Sequence, residues 1–132
     1  MLDYEMFNPY EGLIFDMDGT LIDTMPVHAQ AWMMVGERFS YEFDCQIMYN
    51  FGGATVRTIA GEMMKAANMP LDRIEDVLAA KRELSYQLIP TQSKLLPTFE
   101  IVKSFHQKKP IALGSGSHRK IIDMLMDKLA IA

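Results

Sequence analysis

The stretch Leu13-Ile14-Phe15-Asp16-Met17-Asp18-Gly19-Thr20 decides the fold class of this chain. Its first three residues are apolar, which is typical of a short buried strand in a parallel sheet. The apolar run ends abruptly in a segment with two carboxylates and a glycine. This change predicts a polar loop at the carboxyl end of the strand.

A second apolar run, Ile111-Ala112-Leu113, lies between Pro110 and the turn Gly114-Ser115-Gly116-Ser117. Both candidate strands are followed by a polar turn and then by a helical pattern, which is the order of elements in an open parallel sheet. Ligands bind such sheets at the carboxyl ends of the strands. We therefore expect the two polar loops to face one site.

Between the two candidate strands the sequence predicts three amphipathic helices. The first covers residues 24–39, with Thr24 as its expected capping residue. The second covers residues 56–67. The third covers residues 74–89 and is expected to stop at Pro90, because proline disrupts a helix interior.

The predicted fold class is α/β, with a Rossmann-like parallel-sheet core, partial here, and an inserted α-helical cap. The expected core consists of residues 1–23 and 94–132, and the expected cap of residues 24–93. After the second strand, apolar residues at helical spacing from Ile121 to Leu129 predict a last helix. The inserted helices are expected to form a lid over the strand ends.

Size, charge and cysteine content exclude several classes of protein. The chain has 132 residues, within the range of a single domain, and its 13 basic and 17 acidic residues give a net charge of −4. No run of like charge marks a nucleic-acid or membrane-surface site. No window approaches the roughly 20 apolar residues of a membrane span. Cys45 is the single cysteine, so an intramolecular disulfide is impossible and a cytoplasmic location is expected.

The two carboxylates of the first loop predict a phosphotransferase. Side chains at positions i and i+2 of an extended segment point the same way, so Asp16 and Asp18 can meet one substrate. Magnesium commonly offsets the repulsion between an attacking carboxylate and a phosphate ester. Asp16 is then the expected nucleophile, and Asp18 the acid and base with a raised pKa. The alternative, a calcium loop, requires more oxygen ligands than Gly19 and Thr20 supply.

The second loop is a candidate phosphate site. Ser115 and Ser117 offer hydroxyl groups, and the Gly116 amide precedes a predicted helix, a combination that favours an anion. Thr20, in the first loop, offers a further hydroxyl to an anionic oxygen. Glycine and serine turns before helices are common, so this loop is informative only together with the aspartate loop.

These two loops resemble the first and second motifs of haloacid dehalogenase-type phosphatases. The first motif is the stretch from Leu13 to Thr24, and the second is Leu113-Gly114-Ser115-Gly116-Ser117. In the insert, His28 and the segment from Gly52 to Arg57 resemble the cap of the branch that contains fructose-1-phosphate phosphatase and β-phosphoglucomutase. Lys81-Arg82 shows the same similarity.

The resemblance implies a role for several residues. Asp16 and the main-chain carbonyl of Asp18 are expected to bind Mg²⁺, and Ser115 and Gly116 to hold the phosphoryl group. The residues expected to face the substrate are His28, Gly52, Gly53, Arg57, Lys81 and Ser117. Two alternatives stay open. His28 can instead pack or cap the first helix, and Arg57 and Lys81 can be solvated helix residues.

Members of this family continue past the second motif with a lysine and an acidic pair that complete the site. The sequence ends at Ala132 without them. We therefore expect a partial version of a longer enzyme, or an enzyme whose partner chain supplies the rest, and we expect the 132 residues alone to have little activity.

The leading functional prediction is a magnesium-dependent phosphatase that hydrolyses a small phosphorylated sugar, such as fructose 1-phosphate, through an aspartyl-phosphate. The alternatives are a β-phosphoglucomutase-like phosphomutase and a catalytically inactive fragment or subunit. Uncovered sheet edges also predict self-association.

Overall fold

The structure, a computed structural model, describes residues 4–128. Its strands are β1 (Leu13–Phe15), β2 (Ile22–Asp23), β3 (Lys94–Leu95) and β4 (Ile111–Leu113). Its α-helices are α1 (Met25–Arg38), α2 (Gln46–Asn50), α3 (Val56–Ala66), α4 (Ile74–Gln92), α5 (Phe99–Phe105) and α6 (Arg119–Lys128). Leu129, which the sequence places in the last helix, lies outside the described residues.

The two predicted strands form a parallel pair. β1 and β4 are hydrogen-bonded neighbours, with Ile14 opposite Ala112 and Phe15 opposite Leu113. Because parallel strands end at the same edge, the loops that follow them emerge side by side. The α/β fold with a parallel sheet and a helical region is therefore confirmed.

A second strand pair was not predicted from the sequence. β2 and β3 are antiparallel, with Ile22 opposite Leu95 and Asp23 opposite Lys94. The chain enters α1 directly after β2 and returns from α4 directly into β3. The two ends of the helical segment are therefore held together by main-chain hydrogen bonds.

The helices between β2 and β3 bury their own apolar cluster. The buried members are Ala31, Trp32, Val35, Phe43, Met48, Ile59, Ala60, Met63, Met64, Met69, Val77, Ala80 and Leu84. α1 and α3 match the first two helices predicted from apolar spacing. The five-residue helix α2 was missed, because it is too short to show a helical period.

The predicted end of the third helix at Pro90 is wrong, because α4 continues to Gln92. Ile89 and Pro90 are both buried, so packing favours the helical conformation there. Ser93 N donates to Ile89 O at 3.2 Å, a bond that closes the last turn around the proline. Proline keeps a helical φ and lacks only its own N–H donor.

A second apolar cluster joins the parallel pair, through Phe15 and Leu113, to helices α1, α4, α5 and α6. Its buried members are Met17, Leu21, Ile22, Val27, Ile89, Phe99, Ile121 and Leu125. Met17 lies between the two aspartates of the first loop and is fully buried. Met17 thereby anchors the loop to the core between its two carboxylates. Within residues 4–128, no helix is both long and apolar enough to cross a bilayer.

Candidate active site

Asp16 and Asp18 line the same cavity, which has a volume of about 770 Å³. Asp16 follows the last residue of β1 and is exposed, whereas Asp18 is partly buried. The intervening Met17 side chain points into the core. The two carboxylates therefore line the same cavity but differ in their surroundings. This difference allows them different chemical roles.

Four side chains surround the carboxylate of Asp18. The hydroxyl groups of Thr24 and Ser117 donate to its two oxygens, each at 2.5 Å. Nε2 of His28 lies 3.4 Å from Oδ1, and the Ser115 hydroxyl lies 3.5 Å from Oδ2. Asp18 thus connects α1 to the loop that follows β4.

The raised pKa predicted for Asp18 is not found in this arrangement. Burial alone would raise its pKa, but hydrogen bonds from His28, Ser117 and Thr24 outweigh burial and lower the pKa to about 2. A dry, anionic environment would have raised the pKa of Asp18. The structure instead supplies hydroxyl donors, which stabilise the carboxylate anion.

Asp16 has far fewer partners. Within the described residues, its carboxylate accepts one side-chain hydrogen bond, from the Thr20 hydroxyl at 3.5 Å. This distance is long for an O–H···O bond, so the contact is weak. Its oxygens therefore remain available to a metal ion or to a phosphorus atom.

Thr24 does not cap α1 with its side chain, contrary to the sequence prediction. It occupies the capping position, but the helix has no side-chain cap hydrogen bond. The fully buried Thr24 hydroxyl donates to Asp18 instead. The residue serves the site, because a buried hydroxyl needs a partner and the carboxylate is the stronger acceptor.

Lys81 is buried with only 4% of its surface exposed, so the solvated alternative is wrong for this residue. Its Nζ lies 3.1 Å from Nδ1 of His28 and donates to the Ser85 hydroxyl at 2.8 Å. It also lies 5.1 Å from the ring centroid of Trp32. A lysine inside the cap thereby contacts the histidine that touches Asp18.

Burial changes the pKa of both basic groups. It lowers the pKa of Lys81 to about 8, although the negative charge of Asp18 opposes the shift. Burial likewise lowers the pKa of His28, and the positive charge of Lys81 adds to the effect, against the hydrogen bond to Asp18. Since an ammonium group only donates, Nδ1 of His28 accepts and its Nε2 donates to Asp18.

All the residues predicted to face the substrate line this cavity. They are His28, Gly52, Gly53, Arg57, Lys81 and Ser117. Arg57 is exposed and forms an ion pair with Glu75 at 2.5 Å. Gly53 has φ of +87°, which favours glycine, and a side chain there would meet no atom within 4 Å.

The phosphate-loop candidates lie beside the aspartates. Gly116 lines the cavity, and a Cβ atom added to it would meet nothing within 4 Å. Ser117 N donates to the Ser115 hydroxyl oxygen at 3.1 Å, which holds the turn before α6. Ser115 and Thr20 each contact one carboxylate of the pair, Asp18 and Asp16 respectively.

The sequence did not identify two aromatic residues in the cavity wall, Tyr86 and Trp32. His118, interpreted as a surface residue, is exposed and also lines the cavity. The Tyr86 hydroxyl lies 3.4 Å from Nδ1 of His118, and Lys120 Nζ lies 4.4 Å from the Tyr86 ring centroid. Tyr86 lies four residues after Arg82 on α4, and this helical spacing is the signal that could have identified it.

With this geometry established, similarity to known proteins identifies the family. A family model described as haloacid dehalogenase-like hydrolase matches residues 10–132. The chain belongs to this family. The match includes both loops that line the cavity, so the haloacid dehalogenase-like hydrolase assignment covers the whole site described above.

Two relatives align along nearly the whole chain. A protein from Haemophilus influenzae, described only as uncharacterized, is 96% identical over 132 residues, which is 100% of this chain and 66% of that protein. Fructose-1-phosphate phosphatase YqaB from Escherichia coli is 33% identical over 126 residues, or 96% of this chain and 66% of that protein. The chain thus spans about two thirds of the length of these relatives.

Solved structures of haloacid dehalogenase-like hydrolases share the fold. A predicted phosphoglycolate phosphatase from Haemophilus somnus superimposes with a TM-score of 0.77 at 15% sequence identity. The alignment covers 89% of this chain and 56% of that one. At this identity the similarity establishes the fold alone.

Proposed function

We propose that this chain carries the active site of a magnesium-dependent phosphatase that hydrolyses a small phosphorylated sugar through an aspartyl-phosphate. The observation that carries the proposal is the contrast between Asp16, open to the cavity, and Asp18, held by four side chains. One carboxylate is placed to attack, and the other is placed to exchange protons.

Asp16 is the proposed nucleophile. It lies at the carboxyl end of β1, where an open sheet binds its ligands, and its oxygens face the cavity with a single weak partner. Attack of one of these oxygens on the substrate phosphorus forms the aspartyl-phosphate and expels the sugar oxygen. Thr20, Ser115 and the Gly116 amide are the proposed donors to the phosphoryl oxygens.

Asp18 is the proposed general acid and base. It protonates the leaving sugar oxygen and then accepts a proton from the water that hydrolyses the intermediate. In the structure its carboxyl group favours the anion, with a pKa of about 2. A substrate phosphate beside it adds negative charge and competes for the Ser115 and Ser117 hydroxyls, and both effects raise that pKa.

The residues present fit part of a magnesium site. Magnesium is usually held by one or two protein oxygens together with water and substrate phosphate. The Asp16 carboxylate and the Asp18 main-chain carbonyl are the proposed ligands, consistent with the absence of any cluster of three acidic, histidine or cysteine residues within the described range. The bound ion would neutralise the phosphoryl oxygens during attack by Asp16.

The proposed substrate is a small sugar phosphate. A cavity of about 770 Å³ suits a compact ligand, and its wall combines apolar side chains with His28, Arg57 and Lys81. The relative from Escherichia coli is a fructose-1-phosphate phosphatase by name. We propose the same class of substrate here, with no nucleic acid or membrane partner.

We further propose the division into a core, residues 1–23 and 94–132, and a cap, residues 24–93. An apolar cluster whose buried members all lie within residues 31–84, together with the β2–β3 pairing at both boundaries, supports this division. The sequence has a single cysteine, Cys45, and this low cysteine content supports a reducing, cytoplasmic setting. Open strand edges support self-association.

Phosphate release by the purified full-length protein tests the proposed mechanism. Asp16→Asn should abolish release from fructose 1-phosphate with Mg²⁺, whereas Asp18→Asn should slow both formation and breakdown of the phosphoenzyme. Measuring inorganic phosphate separates a phosphatase from a phosphomutase. Substantial turnover by Asp16→Asn would overturn the mechanism.

A further inference from the structure

Helix α4 presents one polar stripe to the cavity. The α4 residues in the cavity wall are Leu78, Lys81, Arg82, Ser85 and Tyr86. Their spacing of three and four residues places them on one face of the helix. Four of the five are polar, although the neighbouring wall includes apolar side chains such as Trp32 and Ile121. This face of α4 is therefore suited to contact a polar ligand.

The cationic side chains of the cap differ in how their charges are balanced. Lys81 contacts His28 and Ser85 and is buried beneath the cavity surface. Arg57 is paired with Glu75 at 2.5 Å. The guanidinium group of Arg82 forms no ion pair or side-chain hydrogen bond with any residue from 4 to 128, and Arg82 is exposed in the cavity wall.

The neighbours of Arg82 along the helix do not compensate for its charge. Glu83, the next residue, is paired with Arg38 at 3.1 Å. The acidic residues of the cavity wall are Asp16 and Asp18. Both come from the loop after β1, where Asp18 is already bonded to four side chains. Arg82 is thus an exposed positive charge on the cap side of the cavity, without an acidic partner among residues 4–128.

A guanidinium group recognises carboxylates and phosphates through two parallel hydrogen bonds. When the reacting phosphate of a ligand lies at Asp16, the rest of the ligand extends toward the cap. We propose, resting on the phosphatase function above, that Arg82 is a specificity-determining residue that binds a second anionic group on the substrate. That group is a carboxylate or a second phosphate at the non-reacting end.

Two matched ligand pairs test this assignment. The members of the first pair, 3-phosphoglycerate and glycerol 3-phosphate, differ by a carboxylate in place of a hydroxymethyl group. Those of the second, fructose 1,6-bisphosphate and fructose 1-phosphate, differ by one phosphate. Dissociation constants are measured by calorimetry with Mg²⁺ in the Asp16→Asn background of the full-length protein, with and without Arg82→Gln.

In the protein that retains Arg82, the ligand with the additional anionic group should bind roughly tenfold more tightly than its counterpart in at least one pair. Arg82→Gln should bring the ratio of the two dissociation constants close to one and leave binding of the counterpart without the additional group almost unchanged. Arg82→Lys should restore part of the preference, because it keeps the charge without the planar fork. The pair that responds identifies the second group.

Arg73→Gln is the matched control, because Arg73 stacks on Phe39 at 4.8 Å outside this cavity. This variant should leave the ratio of dissociation constants unchanged in both ligand pairs. The assignment is overturned if neither pair shows a preference that depends on Arg82, including the case in which no ligand binds, or if Arg82→Gln weakens both members equally. Phosphate release is measured separately, so failure of the phosphatase proposal is recognised independently of this ratio.

Discussion

Nζ of Lys81 lies 3.1 Å from Nδ1 of His28, whose Nε2 lies 3.4 Å from Oδ1 of Asp18. A buried lysine of α4 is therefore two contacts away from the proposed acid and base. The ammonium group fixes the imidazole with its acceptor toward α4 and its donor toward Asp18. Any cap movement that displaces Lys81 should change the hydrogen bonding of Asp18.

Burial of Lys81 predicts a specific dependence of stability on pH. Its folded pKa is about 8 against 10.5 for an unperturbed lysine, so the unfolded state binds more protons between these values. The free energy of unfolding attributable to Lys81 should rise between pH 8 and 10.5, by on the order of 3 kcal/mol at most. Below pH 8 the buried charge destabilises the fold.

The substitution Lys81→Met should remove this contribution. Urea unfolding at several pH values should show a smaller rise in the free energy of unfolding for the variant than for the wild type. Lys65→Met is the control, because the Lys65 side chain is 60% exposed and forms an ion pair with Glu62 at 3.5 Å. An identical pH profile in Lys81→Met and wild type would contradict the prediction.

Thr24→Val should weaken the site without creating a cavity, because valine has a similar shape. Loss of the 2.5 Å hydrogen bond should raise the pKa of Asp18 and lower the free energy of unfolding at pH 7 by about 1–2 kcal/mol. The Asp18 contribution is present above pH 3.8 and is lost as the pH falls toward 2, so the difference should shrink in acid.

Thr91→Val is the matched control, since the exposed Thr91 hydroxyl donates to the carbonyl oxygens of Gln87 and Leu88 in its own helix. It should change the free energy of unfolding by less than about 0.5 kcal/mol. Denaturant titrations at pH 7 and pH 3 supply both values. A loss in Thr24→Val that is the same at both pH values would show that the hydroxyl does not act through the carboxylate.

Two helical glycines should respond oppositely to alanine. A Cβ atom at Gly36 would lie 2.8 Å from Tyr41 O and 3.0 Å from Phe43 N, so Gly36→Ala should destabilise the protein by about 1–3 kcal/mol. A Cβ atom at Gly61 would meet nothing within 4 Å, so Gly61→Ala should stabilise it by up to about 1 kcal/mol. Thermal unfolding of both variants decides the matter, and equal shifts would refute this view of the α1 packing.

Magnesium removal should stop phosphate release by the full-length protein, and magnesium addition should restore it. Calcium should support a rate at least roughly tenfold lower, because a larger ion with flexible coordination holds in-line geometry poorly. Steady-state rates at matched free-ion concentrations provide the measurement. Comparable rates with the two ions would be incompatible with the proposed metal site.

Ile14 should promote self-association of the purified 132-residue chain. Its side chain is 81% exposed on the open face of the β1–β4 pair, opposite Ala112. Light scattering should give a mass above that of the monomer, and Ile14→Lys should reduce it, because charge opposes sheet association. Met33→Lys, also at an exposed apolar side chain but on α1, is the control. A monomeric wild type would disprove the prediction.

The parallel strands and the long helices were predictable because their signals are local. β1, β4, α1 and α3 each show an apolar run or stripe, and the turn residues mark where the strands end. β2 and β3 have two residues each, which is too short for any period to appear. Their pairing depends on contacts between distant parts of the chain, which a sequence pattern does not reveal.

In the candidate site, too, the features with a local sequence signal were predicted and those that depend on distant contacts were not. The spacing of Asp16 and Asp18 predicted one shared space, and both line one cavity. The surroundings of Asp18 were mispredicted, because its donors come from two segments far apart in sequence, the start of α1 and the loop after β4. Burial of Lys81 did leave a signal, since Val77, Lys81 and Leu84 follow the spacing of the apolar face of α4.

The β2–β3 pairing makes the helical segment separable from the rest of the chain. Because Asp23 lies opposite Lys94, the seventy residues between them begin and end at neighbouring points. A tight turn joining the two strands would convert them into a simple hairpin while leaving the β1–β4 pair in place. A replacement segment can therefore start and end at the same two points, provided that it also supplies the donors that Thr24 and His28 give to the carboxylate of Asp18.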